Sequence, residues 1–221
     1  IFFSSVLLLI VVIFFIYENT TVTKIEQSIN NNLKPNISKP IIKSQESFFS
    51  NDSFNLSAEK IKEKNTRNDI SVIVSPHHLL ASDLIAEIIK LASGKKIKNI
   101  VIIGPNHNNI GLSRIISAEA VWETPFGSLQ TDDKLTKKFL ADFDLKPNAE
   151  AFKNEHSIGA LAPFIKKYYP ETAILPIIFN SYAGLSEAEK TGNWLNNNLG
   201  DNSLIIVSTD FSHYLTKEQA E

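Results

Sequence analysis

Five histidines are spread over 221 residues, and most of them sit where an apolar run gives way to a polar turn. Ile70-Ser71-Val72-Ile73-Val74-Ser75 leads into Pro76-His77-His78, and Asn99-Ile100-Val101-Ile102-Ile103-Gly104 leads into Pro105-Asn106-His107. Ser203-Leu204-Ile205-Ile206-Val207-Ser208 leads into Thr209-Asp210-Phe211-Ser212-His213. Neutral imidazole is the commonest protein ligand for transition ions and the usual proton carrier near neutral pH. The polar segments that follow buried strands are where open α/β sheets hold their ligands. The spacing therefore predicts a metal-centred or acid/base site.

Taken singly, the positions leave alternatives open. His77 suits a ligand or a satisfied structural histidine, whereas His78, next to it, is expected to face elsewhere and either serve structure or support a neighbouring ligand. Gly104 permits a close backbone approach before His107, and Asn106 and Asn108 are expected to orient that imidazole by hydrogen bonds. The same stretch lacks the Lys-Ser/Thr ending of a phosphate loop. In Asn154-Glu155-His156-Ser157, either Asn154 or Ser157 can cap the apolar helix that follows, with Glu155 at its positive end. Glu155 and His156 can instead form an acid/base pair. Asp210 and His213, three apart, are placed to face one another, the carboxylate setting the imidazole tautomer. No Gly-x-Ser-x-Gly elbow is present to activate a serine.

These residues need elements to position them. Continuous rather than alternating apolar runs, interleaved with helical patterns at Leu79–Ser93, Lys134–Phe143, Ile158–Tyr168 and Leu185–Leu199, predict an α/β fold: a mostly parallel sheet flanked by helices. Ala173–Phe179 adds a strand that Pro176 is expected to interrupt, and Arg114–Ala120 a further short one. The globular domain is expected over residues 69–221.

Ahead of it, residues 1–17 are apolar and uncharged, near the lower length for crossing a bilayer, and are expected to be an uncleaved anchor. Residues 18–68, rich in Asn, Ser, Lys and Glu, are expected to be a polar tether with a short helix around Ser57–Asn65. The expected arrangement is a domain held at a membrane on the extracytoplasmic side. A formal charge of −2 with dispersed lysines predicts no nucleic-acid partner. The chain has no cysteine, which excludes disulfides and thiolate ligands within it, and no methionine, which leads to the expectation that it is a fragment.

In order and spacing, Pro76-His77, Gly104-Pro105-Asn106-His107, Trp122-Glu123-Thr124-Pro125-Phe126-Gly127, Asn154-Glu155-His156-Ser157-Ile158 and Ser208-Thr209-Asp210-Phe211-Ser212-His213 resemble the motif series of the Memo-like family, also called AmmeMemoRadiSam system protein B. That family is similar in fold to the class III extradiol ring-cleavage dioxygenases. The resemblance implies a divalent metal, Fe(II) foremost, bound by His77 and His107, with a further ligand beyond Glu221. It implies His213 as acid/base, Asp210, Glu155 and His156 lining the same pocket, and a Trp122–Gly127 loop shaping its mouth. The chain departs from the family pattern in having His78-Leu79 where Ala-Gly is usual, Asn108 where a second histidine is common, and Gly159 where an acidic residue is common. The implied chemistry is extradiol-type oxidation of a substrate with adjacent hydroxyls. Two other functions use the same residues: a non-enzymatic module that binds a small molecule, peptide or metal beside a radical-SAM partner, and a metal-assisted hydrolase.

Overall fold

Strands β2 (Val72–Ser75), β3 (Asn99–Pro105), β4 (Ile115–Ile116), β7 (Ala173–Phe179) and β8 (Ser203–Ser208) form one sheet in the order β2-β8-β3-β7-β4. The computed structural model describes residues 39–43, 66–210 and 216–220. The apolar segment 1–17, the helix expected around 57–65, and His213 lie outside those residues. All pairings in the sheet are parallel except that of β4 with β7. Among the described residues no helix is long and apolar enough to cross a membrane.

The continuous apolar runs have a direct structural cause. Successive side chains of a strand point to opposite faces, so Ile100 and Ile102 of β3 enter one core and Val101 and Ile103 the other. The first core is closed by α1 (Ser82–Leu91) through Ile85 and Ile89, and by α4 (Ala162–Tyr168) through Phe164 and Ile165. The second is closed by α2 (Asp133–Asp142) through Phe139 and by α5 (Leu185–Asn198) through Trp194 and Leu195. Polar side chains cap α2 and the turn that precedes α1. Asp132 accepts a hydrogen bond from the Leu135 amide at 2.9 Å, and His78 accepts one from Leu80 at 3.3 Å at a 3-10 turn ahead of α1.

Three local expectations are corrected. The helix expected over 158–168 is two pieces, α3 (His156–Gly159) and α4, because Pro163 in the first turn of α4 has no amide to donate back into α3. Pro176 does not interrupt β7; it pairs in register with Ile102. Its carbonyl accepts from Ser117 Oγ at 2.7 Å, so its missing donor faces the flank where β4 pairs only at Ile178 and Phe179. The expected strand over 114–120 shrinks to those two residues of β4.

Within the tract 18–68, expected to be a polar tether, the described residues 39–43 include a strand. β1 (Ile41–Lys43) pairs in parallel with β5 (Val121–Thr124), which pairs with β6 (Gly127–Gln130). Ile42 is 2% exposed and Ile41 63% exposed. This inside-outside alternation is too short to stand out as a pattern in sequence. Lys39 fastens the segment, ion-paired to Asp133 and donating to the Thr131 carbonyl at 3.3 Å. Trp122, expected at a pocket mouth, is instead fully buried with its ring edge-on to Phe152. As the inward residue of β5, it faces the core rather than solvent.

Candidate metal centre

Because β2, β8 and β3 run parallel, their C-terminal ends lie side by side, with Ser75 opposite Ser208 and Ile103 opposite Val207. His77 and His107 each sit two residues beyond a strand end at this edge. A third imidazole joins them: His156, the first residue of α3. One ring nitrogen from each of the three lies within 4.8 Å of the others. The His107 and His156 rings stack at 3.9 Å, and His77 stands edge-on to both at 5.1 Å. His77 is buried; the other two are half-buried, which leaves the cluster open on one side.

Hydrogen bonds decide which nitrogen each ring can offer. The Ser208 hydroxyl donates its one hydrogen to the Ser157 carbonyl at 2.5 Å, so toward His77 Nδ1, 2.9 Å away, it can only accept. His77 therefore carries its proton on Nδ1 and a lone pair on Nε2. That Nε2 is buried with no hydrogen-bond partner among the described residues. Burial lowers the His77 pKa to about 3, against the opposing pull of the Asp210 carboxylate, because the imidazolium would lose its hydration. The ring is neutral at physiological pH. A buried, unprotonated nitrogen without a partner is costly unless something else binds it.

His107 is held differently. Its Nδ1 lies 2.7 Å from Glu155 Oε1, and its amide donates to Oε2 at 2.8 Å. The Ser157 amide adds a third donor to Oε1 at 2.8 Å. Burial alone would raise the Glu155 pKa, but the His107 side chain and the two amides outweigh it and hold the group below the ordinary carboxylate range. An ionised carboxylate at Nδ1 keeps a proton there and directs Nε2 outward, as outer partners of metal-binding imidazoles do. Glu155 thus caps α3, the place expected for Asn154 or Ser157, and orients His107 at once.

Asp210 also reaches the site. Its Oδ1 accepts from the His77 amide at 3.1 Å, and its Oδ2 lies 3.4 Å from His77 Nε2. His78 is exposed and caps the turn ahead of α1. Asn106 does not serve as the support for His107 that was expected. It is buried and bonds Ile110 and Asn180, bracing the loop after His107, while Asn108 is exposed. Ser157 and Ser208 carry no motif of their own. They lie 51 residues apart, and only the sheet order brings them together. His156, expected only to line the pocket, brings a third ring nitrogen to the cluster.

Comparison with known proteins identifies the family. The family model described as Memo-like protein matches residues 46–221. A MEMO1 family protein of Caldivirga maquilingensis is 33% identical over 165 residues, 72% of this chain and 57% of that protein. A MEMO1 family protein of Aquifex aeolicus is 33% identical over 125 residues, 56% of this chain and 46% of its own length. One from Methanopyrus kandleri is 30% identical over 160 residues, 67% of this chain and 55% of its own length. The chain spans about half the length of these relatives. The chain belongs to the Memo-like family.

Proposed function

We propose that His77, His107 and His156 bind a divalent transition ion, Fe(II) foremost, and that the intact protein uses it for oxidation of the extradiol type. The observation that carries this is the gathering of three imidazoles, with the buried His77 Nε2 making no hydrogen bond among the described residues. The donor set fits the group. Imidazole suits Fe, Zn, Cu and Ni rather than Mg or Ca, and three such ligands leave positions open for substrate. When bound, the ion supplies Lewis acidity and, as iron, one-electron redox capacity. The chain's own residues do the rest. Ser208 and Glu155 fix the His77 and His107 tautomers, burial keeps His77 neutral, and Asp210 Oδ2 is placed to take or return a proton beside the cluster.

Metal content of the purified full-length protein, and of its His77→Ala, His107→Ala and His156→Ala forms, tests the first half. Each loss should weaken binding sharply, and unchanged metal in all three would end the proposal. Oxygen uptake with a panel of catechols tests the second half. The Asp210 carboxylate also favours a hydrolytic reading, in which it would act as base to a metal-activated water; turnover of an ester panel without oxygen uptake would select that one. Bound metal with no turnover on either panel would favour a binding module.

A further inference from the structure

We infer that Ser208 is a positioning residue that keeps the His77 proton on Nδ1, and that the main chain of Ser157 is the anchor shared by His77 and His107. This rests on the metal-site reading above and adds how the ligands are held. The hydrogen bonds form one unbroken chain. His77 Nδ1–H donates to Ser208 Oγ, and Ser208 O–H donates to the Ser157 carbonyl. The Ser157 N–H donates to Glu155, which also accepts from His107. The Ser157 hydroxyl in turn donates to the Pro105 carbonyl at 2.8 Å, tying this hub to the end of β3. Gly104 makes the seat possible, because a Cβ there would come within 2.7 Å of the Ser157 side chain.

The Ser208 bond matters because His77 has a competing acceptor. Asp210 Oδ2 lies 3.4 Å from Nε2, and a carboxylate attracts an N–H more strongly than a neutral hydroxyl does. Without the Ser208 oxygen, Nδ1–H would face no acceptor, and the proton would move to Nε2 to face Asp210. The ring would stay neutral, but its lone pair would point away from the cluster. One hydroxyl thus decides whether His77 is a ligand.

The experiment is a long-range proton–nitrogen correlation on 15N-histidine-labelled, metal-free protein at neutral pH, with the His77 signals identified by their loss in His77→Gln. The unsubstituted protein should show His77 protonated on Nδ1, and Ser208→Ala should move the proton to Nε2 while leaving His107 unchanged. Zn(II), used as a redox-inert probe, should bind Ser208→Ala about 10- to 100-fold more weakly. Ser208→Thr, which retains the hydroxyl, should restore the Nδ1–H form. The inference is overturned if His77 in Ser208→Ala stays protonated on Nδ1, a result that a folded Ser208→Ala protein delivers whether or not the threonine variant folds. Failure of the unsubstituted protein to bind Zn(II) or Fe(II) would refute the metal site instead, and the tautomer result would stand apart from it.

Discussion

Replacing Glu155 with Gln keeps the shape of the side chain and removes its charge, at a position that is 1% exposed. Three donors converge on the carboxylate: His107 Nδ1–H, the His107 amide and the Ser157 amide. A glutamine has one acceptor oxygen. In its better orientation that oxygen serves His107 Nδ1–H and the Ser157 amide, while its NH2 opposes the His107 amide. One buried donor left unpaired costs about 1–3 kcal/mol, and each of the two remaining bonds loses roughly 1 kcal/mol of charge assistance. Relief from burying a charge offsets part of this. The net loss should be about 2–4 kcal/mol, which for a chain of this size lowers Tm by about 4–16 °C. The pH dependence gives a second readout. The folded Glu155 pKa lies below its reference of 4.5, so its contribution is full above that pH and is lost as pH falls through the folded value. The stability gap between the two proteins, measured by urea unfolding, should be widest at neutral pH and narrow in acid. A gap under about 0.5 kcal/mol at pH 7, or one that stays constant into acid, would refute the role assigned to the carboxylate.

Gly104→Ala should destabilise the protein by about 1–3 kcal/mol through overpacking against Ser157, and should weaken metal binding without touching a ligand; thermal melts and Zn(II) titration check both. Ile42→Ala should cost about 2–5 kcal/mol by urea unfolding, because Ile42 belongs to the main core; a change within about 0.5 kcal/mol would refute that placement of β1. The folded His77 pKa of about 3 lies below its reference of 6.5, so stability should fall as pH drops from 6.5, since the unfolded chain binds the proton first. Between pH 6.5 and about 5, where carboxylates stay ionised, the slope should approach about 1 kcal/mol per pH unit more than in His77→Gln. Equal slopes would place the His77 ring in a wetter setting than the structure shows.

Much of the architecture was legible in the residues because strand and helix signals are local. The apolar runs ending at Ser75, Gly104 and Ser208 declare buried parallel strands, and a polar residue beyond such a strand has to emerge at its C-terminal edge. That alone places His77 and His107 at one edge of a parallel sheet. Other features stayed hidden because their signals are short or contradictory. β1 has one buried isoleucine, and Pro163 lies within an otherwise helical pattern.

What the sequence by itself determined is the chemical repertoire: neutral imidazoles, no thiolate, and a carboxylate beside His156. The tertiary structure decided how that repertoire is arranged. The order β2-β8-β3 inserts β8 between β2 and β3, and so sets Ser208 against His77 from 131 residues away. The packing of α3 on the end of β3, admitted by Gly104, carries His156 onto His107 and Glu155 beneath it. A one-dimensional pattern records the period of each element and the end of each strand. Which strands become neighbours depends on how the two faces of the sheet are jointly covered, and that depends on all the helices at once.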